Sequence, residues 1–157
     1  MAAKRIVFED GGGRLGPLTD LRTAAEIRNG AFVSWQRLQA ESVLMSAMRA
    51  ESAAARIGVP VNTLPKGESF MLLNSRLLEE PSTARKLRDG QALVDAEDGS
   101  IVAACLGADA ARAVIIASPA SLHEVLHRFA TAMHLPPGAT SHFVERIRVS
   151  ADADGTT

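Results

Sequence analysis

The sequence is short of cysteine, of excess positive charge and of long apolar runs. Because Cys105 is the single cysteine of the 157 residues, an internal disulfide is excluded, and we expect a cytoplasmic protein. The 17 basic and 18 acidic side chains leave a net charge of -1, which lacks the positive footprint of nucleic-acid-binding proteins. No apolar run approaches the roughly 20 residues of a membrane span. We therefore expect neither a nucleic acid nor a membrane as a partner.

The chain does contain enough apolar residues for one folded domain. Hydrophobic residues make up 46% of the sequence, which is too large a share for a disordered chain. A length of 157 residues suits a single domain with a sizeable core. The apolar stretch at residues 6–8 is far too short for a signal peptide. We expect the domain to cover residues 1–150 and residues 151–157 to form a flexible tail.

Apolar residues and turn residues alternate in a pattern that predicts both strands and helices. Short apolar runs bounded by turn signals predict strands at residues 5–9, 70–74, 92–95, 101–106 and 113–117. Helices are expected at residues 31–40, 42–57, 81–88 and 121–134. The turn signal Glu97-Asp98-Gly99 predicts a hairpin, which argues against an all-parallel sheet. We therefore expect an α/β sandwich, in a single domain, with a mixed sheet.

A glycine-rich loop follows the first predicted strand. Residues 11–19 contain four glycines and one proline, a composition that destabilises the interior of a helix or strand. Arg14 lies in this loop, and Arg22 and Arg28 follow it. Glycines let main-chain donors approach a ligand and guanidinium groups form charge-assisted bonds to phosphate, so the segment is a candidate polyphosphate site. It lacks the Gly-Lys-Ser/Thr of a Walker loop, and a solvated turn with surface arginines is the alternative.

The same loop carries a family resemblance. The order of its glycines, Arg14-Leu15 and Pro17-Leu18-Thr19 resembles the glycine-rich signature of sugar nucleotidyltransferases. Further segments resemble the N-terminal domain of a divergent branch of that family, usually joined to a left-handed β-helix of the acyltransferase type. These segments are residues 8–10, 22, 26–30, 73–78, 92–95 and 101–105. The resemblance covers residues 5–106 and implies a Rossmann-like nucleotidyltransferase fold.

This resemblance implies an enzymatic reaction and the residues that would carry it out. Members of the family transfer a nucleotidyl group from a nucleoside triphosphate to a sugar 1-phosphate and release pyrophosphate, with Mg²⁺ as the cofactor. The implied nucleotide-binding residues are Gly11, Gly12, Gly13, Asn74 and Arg76. The implied catalytic residues are Arg14, Arg22 and Arg28. The base, the sugar and any assembly into a homo-oligomer stay open.

The chain also departs from the family pattern. Thr23 and Ala24 stand where classical members have a lysine preceded by a proline, so one cation is missing. The metal-binding aspartate has no unambiguous counterpart, and Asp95 and Asp98 on the predicted hairpin are the candidates. The acyltransferase β-helix is not found in these residues. A second interpretation is therefore a non-catalytic nucleotide-binding or assembly module on the same fold.

A different motif lies in the last predicted helix. His123, Glu124 and His127 form an HExxH, the spacing that binds zinc with glutamate as the general base. The helical pattern puts His134 on the same flank, but too far along the axis to bind the same ion. Glu145 is then the candidate third ligand of a zinc-dependent hydrolase, the remaining alternative. Because Glu124 also completes a capping box at the helix start, we favour structural or surface histidines.

Two residues that could serve a site are expected in the core. Cys105 lies in an apolar predicted strand and is typical of a small buried side chain rather than a nucleophile. Trp35 lies near Phe32 in a predicted helix and is expected to pack in the interior rather than to stack on a base.

Overall fold

The computed structural model describes residues 3–9, 28–29, 32–45, 50, 53–55, 57–77, 80–95, 99–116 and 131–135. The strands in this part of the chain are β1 (Lys4–Phe8), β2 (Arg28–Asn29), β3 (Phe32–Val33), β4 (Ser42–Leu44), β5 (Ser69–Asn74), β6 (Gln91–Asp95), β7 (Ile101–Gly107) and β8 (Thr131–Leu135). The helices are α1 (Ser34–Arg37), a 3-10 helix (Ser82–Lys86) and α2 (Ala108–Ile116). Six of these strands form one sheet in the order β4-β1-β5-β7-β6-β8, while β2 and β3 pair separately.

The large sheet is mixed. Strand β1 runs parallel to both β4 and β5, and β6 runs parallel to β8. Strand β7 runs antiparallel to its neighbours β5 and β6, so it alone opposes the direction of the other described strands of the sheet. The predicted α/β class with a mixed sheet is thus confirmed. The predicted hairpin is confirmed as well, with a register shift between Leu93 and Val94.

Two apolar clusters cover the two faces of the sheet. In β1, Val7 belongs to one cluster and Phe8 to the other. In β5, Leu73 and Leu72 divide in the same way, because successive side chains of a strand point to opposite faces. Burial on both faces explains why these strands read as continuous apolar runs and were predicted from the sequence. Trp35 packs against the first cluster, as expected.

The predicted strand at residues 113–117 is wrong, because residues 108–116 form helix α2. The chain in this segment is rich in alanine, the best helix former, and Asp109 lies in the first turn, where a negative charge is favourable. Ala111 and Val114, three residues apart, are the buried residues of one face. A short apolar run does not distinguish a strand from a buried helical turn.

The predicted helix at residues 42–57 is wrong at its start. Ser42–Leu44 is strand β4, which pairs with β1. Residues 50 and 53–54 are helical, and the Ile57 amide donates to the Ala53 carbonyl at 2.8 Å. The strand forms because the edge of β1 supplies hydrogen bonds that local propensity does not include.

Two other predicted helices are also shorter than expected. Within residues 32–40, Phe32–Val33 is strand β3 and Ser34–Arg37 is helical. The helix predicted at residues 121–134 is wrong at its end, since Thr131–Leu135 is strand β8, paired with β6. Residues 117–130 and 136–157 lie outside the described part, so the predicted domain limits stay a prediction. The helix predicted near residues 81–88 is confirmed as the 3-10 helix.

None of the helices in the described ranges has the length and apolar character needed to cross a bilayer.

Candidate functional site

The candidate site lies at the edge of the sheet where the parallel strands end. Strands β1, β4, β5 and β6 reach this edge at their carboxyl ends, and β7 begins there. Strand β1 lies between β4 and β5 in the sheet. The chain leads from β1 to β4 on one side of β1, and from β5 toward β6 and β7 on the other side, so the connections diverge between β1 and β5. Ligands of open α/β sheets bind in the crevice at such a point.

The predicted glycine loop departs from this point. Its residues Gly11, Gly12, Gly13 and Arg14 lie outside the described part of the chain, as does Arg22. The strand before it is held on both sides, because the Glu9 amide donates to the Leu44 carbonyl and the Ser75 amide donates to the Phe8 carbonyl, both at 2.9 Å. The loop therefore starts from a fixed base beside the end of β5.

Arg28, the third predicted catalytic arginine, lies in β2, where it pairs with Val33 of β3. This ribbon is separate from the large sheet in the described strand pairing. The roles predicted for Arg14, Arg22 and Arg28 stay predictions.

Asn74 ends strand β5 and is fully buried. Its side-chain Nδ2 donates to the Ile101 carbonyl at 2.9 Å, and its Oδ1 accepts from the Arg76 amide at 3.0 Å. The amide group thus joins the end of β5 to the start of β7 and supports the turn that follows β5. Its predicted contact with a nucleotide stays a prediction, and the hydrogen bonds give Asn74 a structural role in any case.

Arg76 is the largest fully buried side chain in the described part of the chain, with 2% of its surface exposed. Its Nη2 donates to the Ser100 hydroxyl at 3.0 Å, so the guanidinium group reaches across to the β6–β7 turn. A nucleotide phosphate needs an accessible guanidinium, whereas this one is enclosed. The predicted contact of Arg76 with a nucleotide stays a prediction.

Asp95 ends strand β6 and is 1% exposed. Its amide donates to the Ser100 carbonyl at 2.8 Å, and its carbonyl accepts from the Gly99 amide at 2.9 Å. Gly99 has a φ of 75°, a left-handed conformation that glycine adopts without a steric cost, so the residue type matches the turn. These bonds close the turn that the sequence predicted from its Asp-Gly signal.

The burial of Asp95 does not fit the metal role predicted for it. Mg²⁺ usually keeps several waters when it binds a protein carboxylate, which requires an opening to solvent. The described residues contain no group of three or more metal-ligating side chains close enough to share an ion. Asp98, the other candidate, lies outside the described residues.

The zinc alternative also depends on residues beyond the described part. His123, His127 and Glu145 all lie there. The expectation that His134 shares a helix flank with the other two histidines is wrong, because His134 lies in strand β8 and pairs with Val94.

Two polar residues at the site were missed from the sequence. Ser100 receives the Arg76 hydrogen bond and follows the predicted turn directly, so a search of residues flanking the turn would have found it. Asn62 binds both backbone groups of Met45 after β4, with bonds of 2.8 and 3.0 Å, and has a φ of 55°. Asparagine is among the few residues that tolerate this conformation, but nothing local links Asn62 to Met45.

A second polar group lies at the opposite edge of the sheet. Ser69 Oγ donates to Asp89 Oδ1 at 2.7 Å, and Cys105 Sγ donates to the same oxygen at 3.3 Å. Burial raises the pKa of Cys105 to about 11. The hydrogen bond with Ser69 opposes this increase, and the hydrogen bond and negative charge of Asp89 add smaller increases. The thiol is therefore protonated at neutral pH, which does not suit a nucleophile. The burial predicted for Cys105 is confirmed.

No protein-family model and no curated protein matches the chain. Among solved structures, the chain is similar to a protein assigned as a glucose-1-phosphate thymidylyltransferase from Bacillus anthracis, in complex with sucrose. The identity is 11% and the TM-score 0.48, over 96% of this chain and 95% of that chain. The strand order and directions of the chain itself are the basis of the fold assignment.

Proposed function

We propose that the protein binds a nucleoside triphosphate at the carboxyl edge of the sheet and transfers its nucleotidyl group to a sugar 1-phosphate. The observation that carries the proposal is the position of strand β1, from which the glycine-rich loop leaves where the connections diverge. A loop rich in glycine and followed by arginines, starting at such a crevice, suits a polyphosphate ligand.

In the proposed reaction, an oxygen of the sugar phosphate attacks the α-phosphorus of the triphosphate. A new bond forms between that oxygen and phosphorus, the bond from the α-phosphorus to the bridging oxygen breaks, and pyrophosphate leaves with the electron pair. Negative charge grows on the leaving group, and Arg14 is proposed to stabilise it. Main-chain amides of Gly11, Gly12 and Gly13 are proposed to bind the phosphates, with Arg22 and Arg28 nearby. Mg²⁺, when bound with the nucleotide, neutralises triphosphate charge.

The first experiment is calorimetric titration of the wild type and an Arg14→Ala variant with ATP, GTP, CTP, UTP and dTTP, each with Mg²⁺. We expect at least one triphosphate to bind, and the variant to bind it about tenfold more weakly, because a charge-assisted bond to phosphate is lost. Arg85→Ala is the matched control, since the Arg85 side chain is 79% exposed and pairs only loosely with Glu80 at 3.6 Å. Equal affinity in the wild type and the Arg14 variant, or no binding of any triphosphate, would contradict the proposal.

A second candidate function is nucleotide binding without transfer. It is favoured by the burial of Asp95, which does not suit a hydrated Mg²⁺, and by Thr23 and Ala24 at the places of the family's lysine and its preceding proline. The two functions differ in pyrophosphate release. Incubation with the bound triphosphate, Mg²⁺ and a panel of sugar 1-phosphates should release pyrophosphate if the protein is a transferase and none if it only binds.

A further inference from the structure

Strand β4 is the outermost strand on one side of the large sheet in the described strand order. The backbone groups on its outer edge therefore need partners from a segment that is not a strand of that sheet. Residues 60–62 provide the first of these partners. The Val43 amide donates to the Pro60 carbonyl at 3.0 Å, and the Asn62 amide donates to the Val43 carbonyl at 2.8 Å, which is the pattern of a parallel ladder.

The next outward groups on this edge are the amide and the carbonyl of Met45. Continuation of the ladder would pair them with the backbone of residues 62 and 64. Instead, the side chain of Asn62 binds both groups: its Oδ1 accepts from the Met45 amide at 2.8 Å, and its Nδ2 donates to the Met45 carbonyl at 3.0 Å. A carboxamide carries the same donor and acceptor as a peptide group, so the Asn62 side chain replaces the next peptide group of the ladder.

The backbone of Asn62 turns away from β4 at this point. Its φ of 55° is a left-handed conformation, which asparagine tolerates better than most residues. The carbonyl of the next residue, Thr63, accepts from Ser42 Oγ at the start of β4, so the chain reverses direction at Asn62. The reversal leaves the side-chain amide of Asn62, rather than further backbone, beside Met45.

The peptide group between Leu44 and Met45 connects Asn62 to the glycine-rich loop. Its N–H donates to Asn62 Oδ1 at 2.8 Å, and its carbonyl oxygen accepts from the Glu9 amide at 2.9 Å. Because a peptide group is planar and rigid, a partner on one side restricts the orientation of the group on the other side. Glu9 is the last described residue before the loop, so an unbroken chain of hydrogen bonds leads from Asn62 to the base of the loop.

We infer that Asn62 is a positioning residue, whose side-chain amide ends the ladder at β4 and thereby fixes the direction in which the glycine-rich loop starts. Asn62 acts through the peptide group between Leu44 and Met45 and not through contact with a ligand. The hydrogen bonds carry this role by themselves, and only its effect on triphosphate binding rests on the proposed function.

Amide hydrogen exchange, followed by NMR without any ligand, tests the role of Asn62. Glycine adopts a φ of this kind without a steric cost, so Asn62→Gly removes the side-chain amide and retains the turn. Exchange should become about tenfold faster at Met45, which loses its acceptor, and about threefold faster at Glu9. The Gly90 amide, bound to the Cys105 carbonyl at the opposite edge of the sheet, should exchange as in the wild type.

Thr63→Ala is the matched control for this experiment. Thr63 follows Asn62 directly and is exposed, and its hydroxyl donates to the nearby Val61 carbonyl at 3.2 Å. The control should leave exchange at Met45 and Glu9 unchanged. Unchanged exchange at Glu9 in Asn62→Gly, or an equal acceleration at the distant Gly90 amide, would overturn the inference.

If Asn62→Gly yields no folded protein, Asn62→Asp replaces it. An ionised aspartate lacks the donor to the Met45 carbonyl and places a charged oxygen against that carbonyl, so it disturbs the peptide group before Met45. We expect exchange to become about threefold faster at Met45 and Glu9 together. Faster exchange at Met45 alone, or at neither amide, would overturn the link between Asn62 and the loop.

The effect on the ligand is tested by titration of the triphosphate that binds the wild type most tightly. We expect Asn62→Gly to bind it about fivefold more weakly and Thr63→Ala to bind it as the wild type does. Because Asn62 acts through the loop that carries Arg14, the loss should be clearly smaller in an Arg14→Ala background. An equal fold loss in both backgrounds, or unchanged affinity in Asn62→Gly, would overturn the effect on the ligand. Absence of triphosphate binding to the wild type would instead refute the proposed function, while hydrogen exchange still decides the role of Asn62.

Discussion

The two edges of the sheet both place polar groups beside the apolar core, but the polar groups are buried at one edge and partly exposed at the other. At the carboxyl edge, Asn74, Arg76 and Asp95 are buried and bound to backbone and side-chain partners. At the amino edge, Asp89 is exposed and accepts hydrogen bonds from Ser69 and from the buried Cys105. The carboxylate of Asp89 remains hydrated, whereas that of Asp95 depends on protein groups.

This difference indicates where substitutions of polar residues should most reduce the stability of the protein. A buried group that loses its partner keeps the full cost of its desolvation, while an exposed group replaces the partner with water. Polar substitutions at the carboxyl edge should therefore destabilise the protein more than comparable substitutions at the amino edge.

The largest effect is expected for Asn74→Ala. The substitution leaves the Ile101 carbonyl and the Arg76 amide without their side-chain partner, at a cost of about 2–4 kcal/mol in the free energy of unfolding. Chemical denaturation provides the measurement, with Thr83→Ala, at an exposed position of the 3-10 helix, as the control. An equal loss of unfolding free energy in Asn74→Ala and in the control would contradict the expectation that the carboxyl edge is the more sensitive one.

Cys105 should give a smaller effect that depends on pH. Because its pKa is raised from 9.0 to about 11 in the folded protein, the folded state binds the thiol proton more tightly than the unfolded state. The resulting stability is fully present below pH 9 and is lost as the pH rises toward 11, by an amount on the order of 2 kcal/mol. Denaturation at several pH values should show this loss in the wild type relative to Cys105→Ala. Parallel pH profiles for the two proteins would contradict it.

Ser69→Ala should cost about 0.5–1 kcal/mol, because Asp89 is exposed and water replaces the lost donor. The same variant should raise the pKa of Cys105 further, since the hydrogen bond between Ser69 Oγ and Cys105 Sγ, at 3.7 Å, lowers it. Thiolate absorbance of the single cysteine follows this titration directly. A fall in the pKa would show that the hydrogen bond acts in the opposite sense.

Glu41→Gln should have the smallest effect. Its ion pair with Lys4 has an Nζ–Oε1 distance of 3.6 Å, and both side chains are nearly half exposed. Such pairs contribute less than about 0.5 kcal/mol and are screened by salt. A loss comparable to that of Asn74→Ala would mean that surface charge, rather than burial, governs stability at the edges of this sheet.

The interior strands were the most predictable part of the fold. The sequence indicated β1, β5 and the β6–β7 hairpin correctly, because runs such as Phe70-Met71-Leu72-Leu73 are buried on both faces and end at turn residues. The edge strands were not predictable in the same way. Ser42-Val43-Leu44 and Thr131–Leu135 adjoin segments with helical apolar spacing, and their strand conformation depends on hydrogen bonds from β1 and β6.

The candidate site was predictable only in its location. The sequence indicated the glycine-rich segment after the first strand, and the structure shows that this strand ends at the same edge of the sheet as β5 and β6. The enclosure of Arg76 and Asp95 was not foreseeable, because charged residues are rarely buried and burial depends on distant segments. Asn62 was missed for the same reason, since its partner Met45 lies 17 residues away.

Composition and local pattern were sufficient to establish an α/β chain with a mixed sheet, since apolar runs and turn residues act over a few neighbouring positions. Only tertiary contacts determined which short segments form edge strands and which polar side chains are buried. The physical reason is that the free energy contributed by a hydrogen bond or a charge depends on its partner and on its exposure to solvent. Residues far apart in the chain determine both the partner and the exposure.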